Sequence, residues 1–517
     1  MSPVAVSWVD SLKLFCHRRV ITMLFLGFSA GLPYLLIFGT LGIWLREAGF
    51  EKTDVTPFAW AALGYSFKFV WAPMVDQLPL PWLTRVLGRR RAWMLLAQCA
   101  ITAAILLMAS IDPQASDYSL TMMALAAVLL GFSSATQDIV IDAYRIESAE
   151  IELQAMMSAS YIAGYRIGWL VAGAGSLYLA DWFVTGMNDA YNYQAWQSTY
   201  NLMAVAMLVG LVTTLVIKEP ENANYTNYLE SNQDYLRFIL LFAIAVGGLI
   251  GTYSFSSDLA SVWKAQLTVL VANPHFAAFF VESMRLSLAL LAAWLLAVFL
   301  VKVNFVRYSI VDKTYLMPVR DFFSRYGWSL AFILLALIGL YRISDIVLGV
   351  IANLFYQDMG FSKSEIASVA KTFGLLMTIA GGFIGGLLAI RFGVIRILLL
   401  GGVLAAATNL LFMLLAGIGH DLVWLYIVIS ADNLSAGIAS AAFVAFLSSL
   451  VNVSFTATQY AIFSSLMTLV PKVLGGYSGA MVDSMGYSNF FMLTAILGVP
   501  VLLLIVVAAK RLEVRDR

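Results

Sequence analysis

Charge is scarce in this chain of 517 residues: 12% are Asp, Glu, Lys or Arg, while 61% are apolar. A soluble domain averages about 25% charged and 45–50% apolar residues, so a soluble protein built around one large core is excluded. Cysteine is nearly absent. Cys16 and Cys99 lie far apart, which excludes a disulfide framework and a cysteine-based metal site. The three histidines, His17, His275 and His420, fall outside the apolar blocks, which argues against a histidine proton relay. A net charge of +1 supplies no global field for nucleic acid. No metal, cofactor or catalytic constellation is evident, and no nucleic-acid partner is expected.

What the chain does have is long apolar runs. They recur in blocks of about 20 residues, the length that crosses a ~30 Å hydrocarbon core. Fourteen spans are expected, at about 20–45, 56–78, 92–111, 119–143, 154–181, 196–217, 236–254, 276–301, 328–356, 365–390, 394–416, 423–450, 457–482 and 488–508. The pattern is six, two, six. The fold class is therefore an all-α polytopic membrane protein with two six-helix bundles and an inserted two-helix hairpin. The expected domains are 1–220, the hairpin and linker 221–325, and 326–517. The first apolar block lacks a small-residue cleavage site and is too long for a signal segment, so it is expected to be retained.

Basic residues set the orientation. With the N-terminus inside, inner segments hold 21 Lys and Arg and outer segments only four, Arg46, Lys52, Lys264 and Lys363. Both termini are expected in the cytoplasm. The bundles resemble each other: LQAMMSASYIAGYRIG at 153–168 and ATQYAIFSSLMTLVPKVLGG at 457–476 each open on a Gln and carry a base about twelve residues on. Two parallel six-helix halves are the major facilitator plan. WAPMVDQLPLPWLTRVLGRRRAW, 71–93, resembles the facilitator inner-loop pattern, with eleven residues between Asp76 and Gly88. GGLLAIRFGVIR, 385–396, is its counterpart and lacks the acid.

A charge inside the bilayer costs roughly 2.5–3.5 kcal/mol on insertion scales, so it should meet a partner or a watery cavity. Nine such residues stand out: Lys68, Asp138, Asp142, Arg166, Arg342, Asp345, Lys371, Asp432 and Lys472. The third and sixth spans of each block carry none in their interiors, as befits outer supports. Arg166, Arg342, Lys371 and Lys472 are candidates to bind an anionic substrate, with Tyr161 and Tyr165 able to stack on sugar rings or simply to pack. Asp138, Asp142, Asp345 and Asp432 are candidates for proton coupling or gating. Asp138 and Asp142 share one helix face at i, i+4, near the inner mouth, where they are expected to face water. Arg342 with Asp345, Asp142 with Arg145, and Glu282 with Arg285 could equally be structural pairs. Gly31 and Pro33, and the glycines of GYRIG and KVLGGYSG, mark sites of bending or close helix packing.

LGFSAGLPYLLIFGTLGIW (26–44), YSFKFVWAPMVD (65–76), SSATQDIVIDAYR (133–145), GYRIG (164–168), AKTFGLLMTIAGGFIGG (370–386) and SAAFVAFLSSLVNVSFTATQYAIFSSL (440–466) together resemble the AmpG-type muropeptide permeases of the major facilitator superfamily. The resemblance spans both halves. It implies a monomeric permease in the bacterial inner membrane. Such a permease imports N-acetylglucosaminyl-1,6-anhydro-N-acetylmuramyl peptides by proton symport, serving peptidoglycan recycling, β-lactamase induction and hence antibiotic resistance. It also implies that Lys68, Gln137, Asp138, Asp142, Arg166, Arg342, Asp345, Lys371 and Lys472 fall in equivalent polar positions, with Lys68 and Gln137 joining the substrate-binding candidates. Two other readings stay open: a related proton-coupled transporter of another anion such as acetyl-CoA, and a polytopic lipid-modifying enzyme.

Overall fold

In the computed structural model the chain is helical throughout its described residues, which are 14–50, 58, 63–116, 118–184, 191–220, 231–271, 274–362, 365–475 and 477–515. The first six expected spans form around α1 (Arg18–Leu35), α2 (Leu41–Glu47), α3 (Ala72–Gln77), α4 (Arg89–Ala109), α5 (Ser119–Ser148), α6 (Ile151–Leu170), α7 (Ser176–Phe183), α8 (Tyr193–Ala206) and α9 (Leu208–Val216). The inserted segment contains α10 (Asn232–Phe255), α11 (Ser257–Val271) and α12 (Pro274–Lys302). The second half comprises α13 (Met317–Leu340), α14 (Ile343–Asp358), α15 (Gly374–Phe392), α16 (Val394–Ile418), α17 (Leu422–Ser449), α18 (Thr456–Gly475) and α19 (Ser478–Arg515). Among the described residues, eleven helices are long and apolar enough to cross a membrane. They coincide with expected spans three, four and six to fourteen.

The remaining three expected spans are broken. Span one is α1 and α2 joined by a π-helical turn at Leu36–Thr40, just after Pro33. Span five is α6 and α7 joined by a π turn at Val171–Gly175. The start of span two, at 56, lies outside the described residues. Its later part is interrupted by a 3-10 turn at Lys68–Val70. The two π turns meet. The Thr40 hydroxyl donates to the Ala172 carbonyl at 2.7 Å and lies 3.0 Å from the Ser176 hydroxyl. A π turn leaves a carbonyl without its i+4 amide, and here a threonine satisfies it.

The chain divides into two units, Met1–Asn224 with Phe322–Arg517, and Tyr225–Asp321. In the second unit the structure differs from the two-helix expectation: α11 stands where a loop was expected. Its 15 residues are too short to span the bilayer, and it packs on α12. Glu282 accepts from Arg285 at 2.9 Å, and also pairs with Lys264.

In the first unit each half has its own core. Trp44 stacks on Trp196 at 5.7 Å in one, and Phe355 meets Phe491 at 4.9 Å in the other. The repeat is visible in the backbone. Gly88 at φ 84° and Gly393 at φ 87° turn the chain from the second to the third span of each half. That is the left-handed region, which glycine enters without the Cβ penalty. The two glutamines that opened the repeat also act alike. Gln154 binds Arg145 at 3.1 Å, and Gln459 binds Arg325 at 3.1 Å.

Candidate central cavity

Below, the basic end means the end that carries Arg18, Arg90 and Arg325. What fixes the site is where charged side chains fall along each helix. At 1.5 Å per residue, Asp142 and Asp138 stand about 9 and 15 Å from the basic end of α5. Arg166 on α6 and Lys472 on α18 stand about 22 and 24 Å from theirs. Arg342, just before α14, is about 22 Å beyond the kink at Gly327. Asp138 and Asp142 thus lie closer to the basic end than Arg166, Arg342 and Lys472 do.

The level of Asp138 and Asp142 is closed. Asp142 lies 3.9 Å from Lys68 Nζ and 3.4 Å from Arg145 Nη2. Tyr161 donates to Asp138 at 3.4 Å. Arg145, fully buried, reaches across to the second half: its Nη1 donates to Ser448 Oγ at 2.8 Å, and its guanidinium lies 5.2 Å from the Tyr460 ring centre. Asp138 and Asp142 are only 9% and 8% exposed. This corrects the expectation that they face water at an open inner mouth. Arg145 and its partners lie between them and the basic end.

A second fastening joins the halves at the same end. Asp76, at the end of α3 and 1% exposed, accepts from the amides of Ala457 and Thr458 at 3.1 and 2.7 Å and from the Thr458 hydroxyl at 2.7 Å. It therefore caps the N-terminus of α18, where a negative charge meets the positive end of the helix dipole. Arg90 holds Asp76 at 2.8 Å and Glu147 at 2.5 Å. Glu147 was not singled out by sequence. Asp76 and the basic cluster were noticed, but topology anchoring alone explained the bases. Just outside the spans, burial pushes the Glu219 carboxyl above the ordinary glutamate range, even though it accepts from the amides of Arg90 and Arg91.

Aromatic rings line the space above the acids. Tyr34 stacks on Trp169 at 5.1 Å and meets Tyr65 edge-on at 5.7 Å. Tyr165 lies 6.1 Å from Tyr161 and 5.5 Å from Trp169. Arg166 sits 4.9 Å from the Trp169 ring centre. Arg342 is 3.7 Å from Asp345. Lys371, on a π-helical segment at Ile366–Phe373, and Lys472 are both exposed.

Two candidates fall elsewhere. Gln137 is wholly buried and donates to Ser29 at 2.8 Å between α5 and α1, so it packs helices rather than meeting a solute. Asp432 accepts from Thr408 at 3.3 Å, between α17 and α16 inside the second half. The glycines of GYRIG serve close packing: a Cβ at Gly164 would come 2.8 Å from the Leu24 carbonyl carbon and 2.9 Å from the Phe28 nitrogen.

Similarity to known proteins agrees with this layout. A relative from Rickettsia conorii, described as putative transporter AmpG 4, is 29% identical over 97% of this chain and 99% of its own. The anhydromuropeptide permease of Escherichia coli K12 is 29% identical over 97% of this chain and 82% of its own. An uncharacterized Haemophilus influenzae protein is 30% identical over 93% of this chain and 92% of its own. The chain belongs to the AmpG-type permease family. The family model described as acetyl-coenzyme A transporter 1 matches residues 19–236. Among solved structures, the proton:xylose symporter XylE bound to 6-bromo-6-deoxy-D-glucose matches with a TM-score of 0.56 at 12% identity, over 96% of this chain and 94% of its own. The human organic anion transporter MFSD10 gives 0.56 at 13% identity, over 94% of this chain and 99% of its own. At such identities the likeness establishes the fold, that of the major facilitators. This AmpG-type protein is thus a multi-pass membrane transporter of a small molecule, not an enzyme.

Proposed function

We propose that this permease imports anhydromuropeptides, N-acetylglucosaminyl-1,6-anhydro-N-acetylmuramic acid and its peptides, from periplasm to cytoplasm in symport with protons. The observation that carries the reading is Arg166, 4.9 Å from the Trp169 ring that stacks on Tyr34; Arg342, from the other half, supplies a second guanidinium in this reading. An anionic sugar needs both features: guanidiniums take carboxylates in planar, bidentate fashion, and ring faces take the pyranose. Lys371 and Lys472 add positive charge toward the opposite end. The naming of the Escherichia coli relative as an anhydromuropeptide permease supports the same substrate.

The bonds that join the halves, Asp76 to Thr458 and Arg145 to Ser448, lie at the basic end. With that end in the cytoplasm of a bacterial inner membrane, the cavity faces the periplasm. Substrate neutralises the two arginines and draws the halves together above it. A proton on Asp138 loosens its hold on Tyr161, the floor opens, and both substrate and proton are released inward. Import would feed peptidoglycan recycling and the induction of β-lactamase. The alternative substrate, acetyl-CoA, is favoured only by the family model over residues 19–236.

The test is uptake of radiolabelled anhydromuropeptide into right-side-out vesicles held inside-negative and alkaline inside, with acetyl-CoA and unlabelled muropeptide as competitors. Uptake should collapse without the proton gradient and yield to muropeptide alone. Uptake that survives a proton ionophore removes the symport, and competition by acetyl-CoA alone transfers the site to that substrate.

A further inference from the structure

Away from the central cavity, α1 and α9 meet at the basic end around two adjoining hollows. One is a polar recess of about 320 Å³ to which Arg18, Arg19, Lys218, Tyr144 and Ser148 contribute. The other is an apolar groove of about 680 Å³ along Ile21, Phe25, Leu208, Val212 and Val216. Arg18, Thr22 and Ile217 border both, so the two are continuous. We infer that one anionic phospholipid occupies them together, its phosphate in the recess and an acyl chain in the groove.

Charge favours the anion. Two of the three acids lining the recess are already engaged: Glu147 by Arg90 at 2.5 and 2.9 Å, and Glu219 by the amides of Arg90 and Arg91 at 2.7 and 3.0 Å. Glu150 remains, at the rim, against Arg18, Arg19 and Lys218. Arg18 uses one donor on the Val216 carbonyl at 3.2 Å, which fixes its guanidinium at the mouth of the groove. Its other donors stay available for phosphate oxygens.

Hydrocarbon favours a lipid over a free anion or a protein segment. Val212 and Val216 are 58% and 63% exposed yet belong to a helix that crosses the membrane, and Ile21 and Phe25 are 43% and 45% exposed. From Arg18 to Phe25 the groove descends about 10 Å, the depth at which a headgroup gives way to acyl chain. A basic site at the cytoplasmic surface of the bilayer also lies where anionic lipid accumulates.

The experiment is native mass spectrometry with thermal-shift measurement on the delipidated full-length protein. The probes are phosphatidylglycerol, phosphatidylcholine, a short-chain soluble phosphatidylglycerol and inorganic phosphate. Phosphatidylglycerol should bind with one-to-one stoichiometry and raise the melting temperature. Arg19→Gln should weaken it about fivefold and Arg19→Gln with Lys218→Gln about 25-fold, the ratios that about 1 kcal/mol per basic group gives. Val212→Trp, which fills the groove on its lipid face, should weaken the long-chain lipid and leave the short-chain one unchanged. Equal stabilisation by phosphatidylcholine, full effect from inorganic phosphate, or indifference to both the charge and groove variants would each overturn the assignment. Binding is read without transport, so the result stands apart from the muropeptide reading.

Discussion

Removing the charge of Asp76 should open the basic end. In Asp76→Asn the shape is kept, but three charge-assisted hydrogen bonds to the start of α18 become neutral ones, and the attraction to Arg90 weakens. Charge-assisted bonds contribute about 1.5–3 kcal/mol each and neutral ones about half that, so the loss approaches 1 kcal/mol per bond. The helix-dipole interaction adds about 0.3–1 kcal/mol. Because the amide still accepts at one oxygen, a net shift of about 2–4 kcal/mol toward the opened state is expected, or about 30- to 700-fold in population at 1.4 kcal/mol per tenfold. The reporter is a single cysteine at Ala159. This residue is 1% exposed and lies on α6 beside Gly386 of α15. Cys16 and Cys99, both free and exposed, are first replaced by serine. The rate of maleimide labelling at 159 should rise by roughly that factor in Asp76→Asn, and by less in Thr458→Val, which loses one of the three bonds. Labelling that stays at the parental rate in both variants would refute the fastening.

Three other outcomes follow from the geometry. Arg166→Gln and Arg342→Gln should each raise the KM for anionic substrate about tenfold or more with little change in protein abundance, as flux measured against substrate concentration will show. Asp138→Asn should retain substrate binding, measured by equilibrium dialysis, while uptake ceases to respond to the proton gradient. Gly164→Val should reduce folded protein, since overpacking costs about 1–3 kcal/mol or more and the blocking atoms at Leu24 and Phe28 are backbone. At the opposite end, the Ser362 amide and hydroxyl, followed by His420, hold the Glu365 carboxyl below the usual glutamate range. A depressed carboxylate stabilises above its unfolded value of about 4.3 and loses that contribution as pH falls through the folded value. The difference in melting temperature between the parent and Glu365→Gln should therefore shrink between pH 6 and pH 3.

Much of the plan was legible because spans obey local rules. Among the described residues, length and hydropathy locate eleven helices able to cross a membrane at the expected places, and bilayer cost explains why charges avoid the interiors of α4 and α16. The misreadings have a common origin. The family resemblance places Gln137 among the substrate groups, but adjacent helical residues do not share a face, and this one turns away from Asp138 to Ser29. Asp76 finds its partner 382 residues away at Thr458, a pairing that no local pattern encodes. The i, i+4 spacing of Asp138 and Asp142 carries no sign of their burial, because Arg145 crosses to Ser448, 303 residues away, only once the halves are docked. Helix α11 was missed because the search was for blocks of about 20 residues, and its 15 fall short.

The two halves share a left-handed glycine, Gly88 and Gly393, at the corner after their second span, yet the stretch 385–396 has no acid to match Asp76. The duplication was therefore kept in the hinge and abandoned in the clasp. A chimera assembled from two copies of the second half would bend at both corners and latch at neither, since Asp76 and Arg145, which fasten the halves, both belong to the first.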